Sequence, residues 1–240
     1  MNMKRWIIGS LIAVSCLLSG CGGSFSASEE QQRLQQQVNP DDVQAVQRAV
    51  EAFQQDSGGL LPIKTVDNDT DIYIKYLIDF QKLVPTYLAA LPDNAYEKGG
   101  IYQYVIWDAE QSPTVKLVDL NAAERIREIN LRVMVQQYPA FQEQIADYIY
   151  TLNYERMGLE PLSVQSPYST NYLPIVVTTQ GQAIVDYRID LQRLIDDMDI
   201  DITPGEDLRP LLIERFDVLP AYSVPYTVNE AREVVFFYTP

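Results

Sequence analysis

Between residues 43 and 53, apolar side chains return every three to four positions. Val43, Val46, Ala49, Val50 and Phe53 fall on one face of a helix. Asn39 is a good N-cap, Pro40 suits the first helical position, and Asp41 and Asp42 favour the positive helix end. The helix is therefore expected to start at Asn39 and to stop at Gly58-Gly59, since glycine accepts the left-handed cap. Two more helices are expected in the middle of the chain. The first has the capping pattern Asn121-Ala122-Ala123-Glu124, an apolar stripe of Ile126, Ile129 and Val133, and a stop at Pro139. The second begins near Ala140, turns Phe141, Ile145, Tyr148, Ile149 and Leu152 inward, and ends near Gly158. Runs rich in Ile, Val and Tyr at 72–78, 101–107, 115–118, 173–178, 183–189 and 234–238 predict strands. Helices and strands are segregated along the chain, which predicts an α+β fold.

The apolar pattern repeats. Leu61-Pro62-Ile63 returns as Leu173-Pro174-Ile175, and Tyr76 to Leu83 returns as Tyr187 to Leu194. A weaker match joins Leu83–Pro92 to Leu211–Pro220, and both copies lead into an aromatic strand. This predicts two related small subdomains, each of strands plus short helices, separated by a helical segment. Asp79 and Asp190 are expected to cap the short helix of each copy.

A different pattern opens the chain. Lys4 and Arg5 precede an apolar run from Trp6 to Leu18, too short for an ordinary spanning helix, so it reads as an export signal. It ends in Leu18-Ser19-Gly20-Cys21, which resembles the bacterial lipobox. That resemblance implies cleavage before Cys21 and diacylglycerol on its sulfur. The expected organisation is a signal peptide over 1–20, lipidated Cys21 and a flexible tether over 21–38, and an N-terminal subdomain over 39–119. A helical connector follows over 120–158, then a C-terminal subdomain over 159–240 that repeats 60–107. The tether is Gly/Ser-rich and then Gln-rich.

Composition then narrows the chemistry. The chain has no histidine, and its only cysteines are Cys16, which would leave with the signal, and Cys21. Ser-His-Asp and Cys-His catalysis and imidazole-ligated zinc are excluded, and the mature chain would hold no free thiol. Losing the two cations Lys4 and Arg5 takes the net charge from −15 to −17. Such a field repels phosphates, so nucleic acid is not an expected partner. No motif such as Gly-x-Ser-x-Gly or Ser-x-x-Lys is present, and no spacing selects a carboxylate pair, so no enzyme is expected.

Two features remain as candidate sites. Asp67-Asn68-Asp69-Thr70-Asp71 and Asp197-Met198-Asp199-Ile200-Asp201 each place three carboxylates at alternate positions. Calcium loops need such spacing, but both runs lack the Gly and Glu of an EF-hand, so Asp197, Asp199 and Asp201 mark at most a weak calcium site; the alternatives are solvated loop acids or the wet face of an edge strand, with Met198, Ile200 and Ile202 inward. The chain also has 16 Tyr against 7 Phe. Tyr168, Tyr172, Tyr222 and Tyr226 lie in Ser/Pro-rich segments and are expected to line a binding surface on loops, or else to serve as ordinary strand residues.

Two resemblances add to this. Residues 39–107 resemble the head of type II secretion pseudopilins and type IV pilins, through the N-terminal helix, Gly59-x-x-Pro62, Leu83-x-Pro85-x-Tyr87-Leu88, Leu91-Pro92-Asp93-Asn94, Gly99-Gly100 and Tyr102-x-Tyr104. This implies a fold and no activity, because a lipobox and polar tether replace the pilin leader and filament helix. Over its full length the chain is similar to uncharacterised lipoproteins of Bacillus-type bacteria, through the lipobox, residues 58–65, Ser166-Pro167-Tyr168, residues 184–190 and residues 220–227. That similarity implies the outer face of a Gram-positive cytoplasmic membrane. The expected function is non-catalytic binding or scaffolding by a lipid-anchored envelope protein. Its partners would be the membrane, through the anchor, and an envelope protein or the cell wall. The alternative is a solute- or ion-binding lipoprotein serving a transporter or sensor.

Overall fold

The computed structural model describes residues 36–64, 70–198 and 202–240. The leader with Cys21, the acids Asp67 and Asp69, and Asp199 and Asp201 lie outside the described residues. The fold is α+β, with helices and antiparallel sheets in separate blocks of the chain.

Helix α1 (Pro40–Asp56) starts as its sequence dictates: the Asn39 side chain accepts the Asp41 N–H. Its buried face, Val43, Val46, Ala49 and Val50, packs on the hairpin of β1 (Tyr102–Trp107) and β2 (Thr114–Asp119). Each such buried side chain contributes about 1.5–3 kcal/mol, Ala49 less. Gln47 adds a polar clasp, its Oε1 accepting Val115 N–H at 2.7 Å and its Nε2 donating to Pro113 O at 3.1 Å.

Helix α2 (Leu120–Gln136) follows directly and is capped by Asp119, which accepts Asn121 N–H at 2.8 Å. The cap thus falls two residues before the expected Asn121. Next come β3 (Phe141–Ala146), β4 (Ile149–Leu152), the single turn α3 (Tyr154–Met157), β5 (Ser163–Gln165), β6 (Tyr172–Thr178) and β7 (Ala183–Val185). Strand β6 is the centre of this sheet and pairs with β4, β5 and β7. Its near-continuous run Leu173–Thr178 is buried apart from Pro174. Helices α4 (Arg188–Met198) and α5 (Arg209–Arg215) and a last hairpin, β8 (Tyr226–Val228) with β9 (Val234–Phe236), complete the chain.

Two sequence expectations are corrected. Residues 141–152 form the β3–β4 hairpin rather than a helix, because β4 is drawn into the ladder of β6 at Ile149 and Tyr150. The expected connector over 120–158 is thus one helix, a hairpin and a short turn. Residues 72–78 are no strand. Asp71 caps a single 3-10 turn at Ile72–Ile74, and only Leu77 and Ile78 make isolated bridges.

The repeat is also moved in register. Ile63 bridges Ile78, and Asp79 N–H donates to Pro62 O at 2.7 Å; Ile175 pairs with Val185, and Asp186 N–H donates to Pro174 O at 3.0 Å. Asp79 caps Gln81 N–H as Asp186 caps Arg188 N–H. Phe80 O then accepts from Leu83 and Val84, as Tyr187 O accepts from Asp190 and Leu191. The structural counterpart of Asp79 is therefore Asp186. Ile189-Asp190 lie inside α4 and do not match Ile78-Asp79. Pro85 stops the first copy after one turn, whereas the second runs on into α4.

The two halves are stitched at β2. Leu117 and Val218 form a parallel bridge. Buried Lys116 donates from Nζ to Ile213 O at 2.8 Å and Phe216 O at 2.7 Å, at the C-terminal end of α5, where a cation suits the free carbonyls. Burial lowers the Lys116 pKa, and Asp217 opposes that shift.

Candidate functional site

The position that Leu83 fills in the first copy is held by Asp190 in the second. Leu83 is fully buried, and Asp190 is only 4% exposed. A carboxylate in a core position must be hydrogen-bonded, and here it organises the loop between β5 and β6. Ser166 Oγ donates to Asp190 Oδ2 at 2.7 Å and Ser169 Oγ to Oδ1 at 2.6 Å. Ser166 Oγ accepts the N–H groups of Tyr168 and Ser169, and Ser169 Oγ accepts that of Asn171. Both hydroxyl protons point to Asp190, and both oxygens face backbone donors. Neither serine presents a free nucleophile.

Beside this staple lies a cleft of ≈ 280 Å³, walled by Leu194, Met198, Phe216 and Tyr168. Arg193, Asp197 and Arg215 stand at it as well. Arg193 and Asp197 approach to 3.7 Å but are both exposed, so this pair is worth about 0–1 kcal/mol. Arg215, at the end of α5, pairs with no acid among the described residues. Tyr168 is fixed from three sides: its ring lies 4.9 Å from Phe216 and 5.7 Å from Tyr187, and its OH donates to Val218 O at 3.1 Å. Burial raises its pKa well above the usual tyrosine value, so the hydroxyl stays neutral. The cleft thus offers apolar walls with two guanidinium groups and the Asp197 carboxylate at its edge.

Burial also raises the Asp190 pKa, against the hydrogen bonds from Ser169 and Ser166 and the charge of Arg193. The native state therefore holds this proton more tightly than the unfolded chain. Its contribution is full below the unfolded carboxylate pKa of about 3.9 and is lost as pH rises through the raised native value. Asp190→Asn removes that step. In urea unfolding from about pH 3.5 to pH 7, wild-type stability relative to Asp190→Asn is expected to fall as pH rises. A difference that stays flat would sink this reading of Asp190.

The four tyrosines expected to share a binding surface do not do so. Tyr168 walls the cleft, while Tyr172 is 69% exposed at the start of β6 and is not among the cleft residues. Tyr222 is half-buried, and its carbonyl accepts the Val185 N–H. Tyr226 is fully buried on β8, with no surface to offer a partner. Of the acids expected to suit calcium, Asp197 lies at the exposed end of α4, next to the cleft. Among the described residues no group of three or more Asp, Glu, His or Cys is placed to hold a metal.

Sequence reasoning missed Ser166, Ser169, Arg215 and Phe216, and gave Asp190 a capping role. The usable signal was Ser166-Pro167-Tyr168-Ser169, since Ser-rich turns bond their own backbone. A second, larger cleft of ≈ 460 Å³ lies on the first half, beside Tyr76, Trp107 and Glu110. Trp107 stacks on Tyr73 at 5.3 Å, and Tyr76 OH donates to Glu110 Oε1 at 3.5 Å.

No helix among the described residues is long and apolar enough to cross a membrane. No curated protein and no solved structure matches the chain. Residues 39–119, which carry α1 and the β1–β2 hairpin, match the YphF family N-terminal domain, a bacterial family.

Proposed function

We propose that this chain is a lipid-anchored extracytoplasmic protein with a non-catalytic binding or scaffolding role in the bacterial envelope. Diacylglycerol on Cys21 would hold it at the outer face of a Gram-positive cytoplasmic membrane, as the lipobox and the similarity to Bacillus-type lipoproteins suggest. The observation that carries the binding role is the Tyr168 cleft. Its serine and its buried carboxylate, Ser169 and Asp190, are already spent on one another, and Asp197 faces Arg193, which leaves apolar walls and the Arg215 guanidinium. Such a surface holds a partner without reacting with it.

The test has two arms. Cys21→Ala should abolish labelling by a clickable fatty acid and leave unprocessed precursor; unchanged labelling refutes the anchor. Arg215→Glu should reduce partner crosslinked on intact membranes while the melting temperature stays nearly constant, because Arg215 is exposed. Full capture by that variant, or turnover of a cell-wall substrate by the wild type, refutes the binding role.

The cleft at Trp107 favours the second reading, a solute- or ion-binding lipoprotein serving a transporter or sensor, since its ≈ 460 Å³ lies within the range of small-molecule pockets. A solute that raises the melting temperature of the wild type but not of Trp107→Ala would support it.

A further inference from the structure

The cleft beside Trp107 is built on a clamped aromatic stack. Tyr73 is buried, and its ring lies 5.3 Å from that of Trp107 at an interplanar angle of 22°. Arg209 of the second half stands 5.6 Å from the Tyr73 ring and is itself held by Asp207, Nη2 to Oδ2 at 2.8 Å. Trp107 is thus backed by a ring that is fixed in turn. Strand β1 ends at Trp107 and the chain turns at once. Asp108 takes the left-handed φ of 49°, its Oδ2 accepts the Ser112 N–H at 3.2 Å, and its carbonyl accepts the N–H groups of Gln111 and Ser112. That turn brings Asp108, Glu110 and Gln111 to the cleft.

The lining says what the cleft takes. Ile72, Tyr76 and Trp107 supply apolar and aromatic surface, Asp108 and Glu110 supply carboxylates, and no lysine or arginine lines it. Neither acid forms an ion pair among the described residues, and Glu110 has only the long contact from Tyr76 OH at 3.5 Å. Lys75 Nζ lies 5.7 Å from the centre of the Tyr76 ring, but Lys75 neither lines the cleft nor pairs with either acid. The net charge of −15 draws cations toward the chain as a whole. Aromatic faces attract a cation, and two carboxylates with no base beside them complement its charge. A primary ammonium is strongly hydrated and has three protons to place. A quaternary ammonium presents its charge through methyl groups, which suit rings and an isoleucine.

We infer that the Trp107 cleft binds a small quaternary ammonium solute, with its methyl groups against Trp107 and Tyr76 and its charge answered by Glu110 and Asp108. The volume of ≈ 460 Å³ has room for such a ligand. A neutral sugar would leave both carboxylates without a countercharge. A lipid headgroup would bring a phosphate against them, so the ligand is a free cation. Tyr73 and Arg209 are positioning residues that hold the Trp107 plane, and through them the second half steadies a site on the first. This inference rests on the solute-binding reading of the cleft and adds the charge and shape of the solute.

The test is calorimetric titration of the full chain with choline, beside three comparison probes. These are neohexyl alcohol, which keeps the shape of choline with carbon in place of the charged nitrogen, glucose, and glycerophosphocholine. Choline should bind one to one, and neohexyl alcohol about tenfold more weakly. Glycerophosphocholine should also bind more weakly than choline. Glu110→Gln alters an exposed side chain, so it should weaken choline binding several-fold at an unchanged melting temperature, and Trp107→Ala should abolish it. Choline binding that survives both variants is screening of the net charge and overturns the inference, as does absence of choline binding by the wild type. If neohexyl alcohol or glucose binds as tightly as choline and needs Trp107, the cleft remains a solute site and the cation is wrong. Tighter binding of glycerophosphocholine than of choline assigns the cleft to a lipid headgroup and overturns the free solute.

Discussion

Tyr226→Ala is expected to destabilise the protein by about 3–5 kcal/mol, the cost of deleting a buried aromatic side chain. Tyr226 has no exposed surface, and its ring lies 5.4 Å from Phe236. Its hydroxyl donates to Val185 O at 2.9 Å and accepts the Tyr187 N–H at 3.1 Å. It thus joins the end of β7 to the start of α4, the unit that places Asp190. Tyr226→Phe keeps the ring but strips both backbone groups of this partner, so a loss of about 1–3 kcal/mol is expected. Exposed Tyr172→Ala should stay within about 0.5 kcal/mol of wild type. Urea unfolding of the three variants gives the order directly. If Tyr226→Ala kept the wild-type midpoint and impaired only partner capture, the surface role would be reinstated.

Gly100→Ala is the second large effect. A Cβ at Gly100 would lie 2.1 Å from both the carbonyl carbon and the oxygen of Asn94, and these are backbone atoms with no rotamer to yield. Asn94 is itself 1% exposed and joins three segments. Its side chain donates to Gln37 O at 2.8 Å and accepts from Tyr104 OH at 2.8 Å, and its carbonyl accepts the Tyr102 N–H at 3.1 Å. Relieving the clash means moving this hub, so the loss should exceed the usual 1–3 kcal/mol of overpacking, at about 3 kcal/mol or more. Gly58→Ala is the contrast. Its φ is 73° with nothing within 4 Å, so only the left-handed backbone opposes it, at about 1–2 kcal/mol. Thermal unfolding of both variants decides between steric and conformational cost. A Gly100→Ala protein that melts like wild type would rule out the close approach.

The glycine pair also shows how much of the first half could be read ahead of the structure. Gly99-Gly100 and Leu91-Pro92-Asp93-Asn94 stood out in the sequence as a pattern. The structure supplies the reason: Gly99 takes the left-handed φ of 90° and Gly100 lets Asn94 approach. The Asp79 cap was likewise legible, because an Asp capping a turn acts two residues away. Its partner in the second half was not. Asp186 and Asp190 are both preceded by β-prone residues, and the similarity of 76–83 to 187–194 pointed to the wrong one.

The sequence by itself determined the elements whose causes are local. Asn39, Pro40 and the 3.6-residue stripe set α1; short runs rich in β-branched, apolar and aromatic residues set β1, β2 and β6; and the α+β class follows from their segregation. Tertiary structure decided the rest. Residues 141–152 have helical spacing, but pairing with β6 made them a hairpin. Tyr226 reads as a loop residue until Tyr187, 39 positions away, donates to its hydroxyl. Asp190 reads as a cap until Ser166, 24 positions earlier, and Ser169 close upon it inside the core. The physical reason is range: capping and periodicity act within a turn of chain, whereas burial and the pairing of buried polar groups depend on segments that only the folded chain brings together.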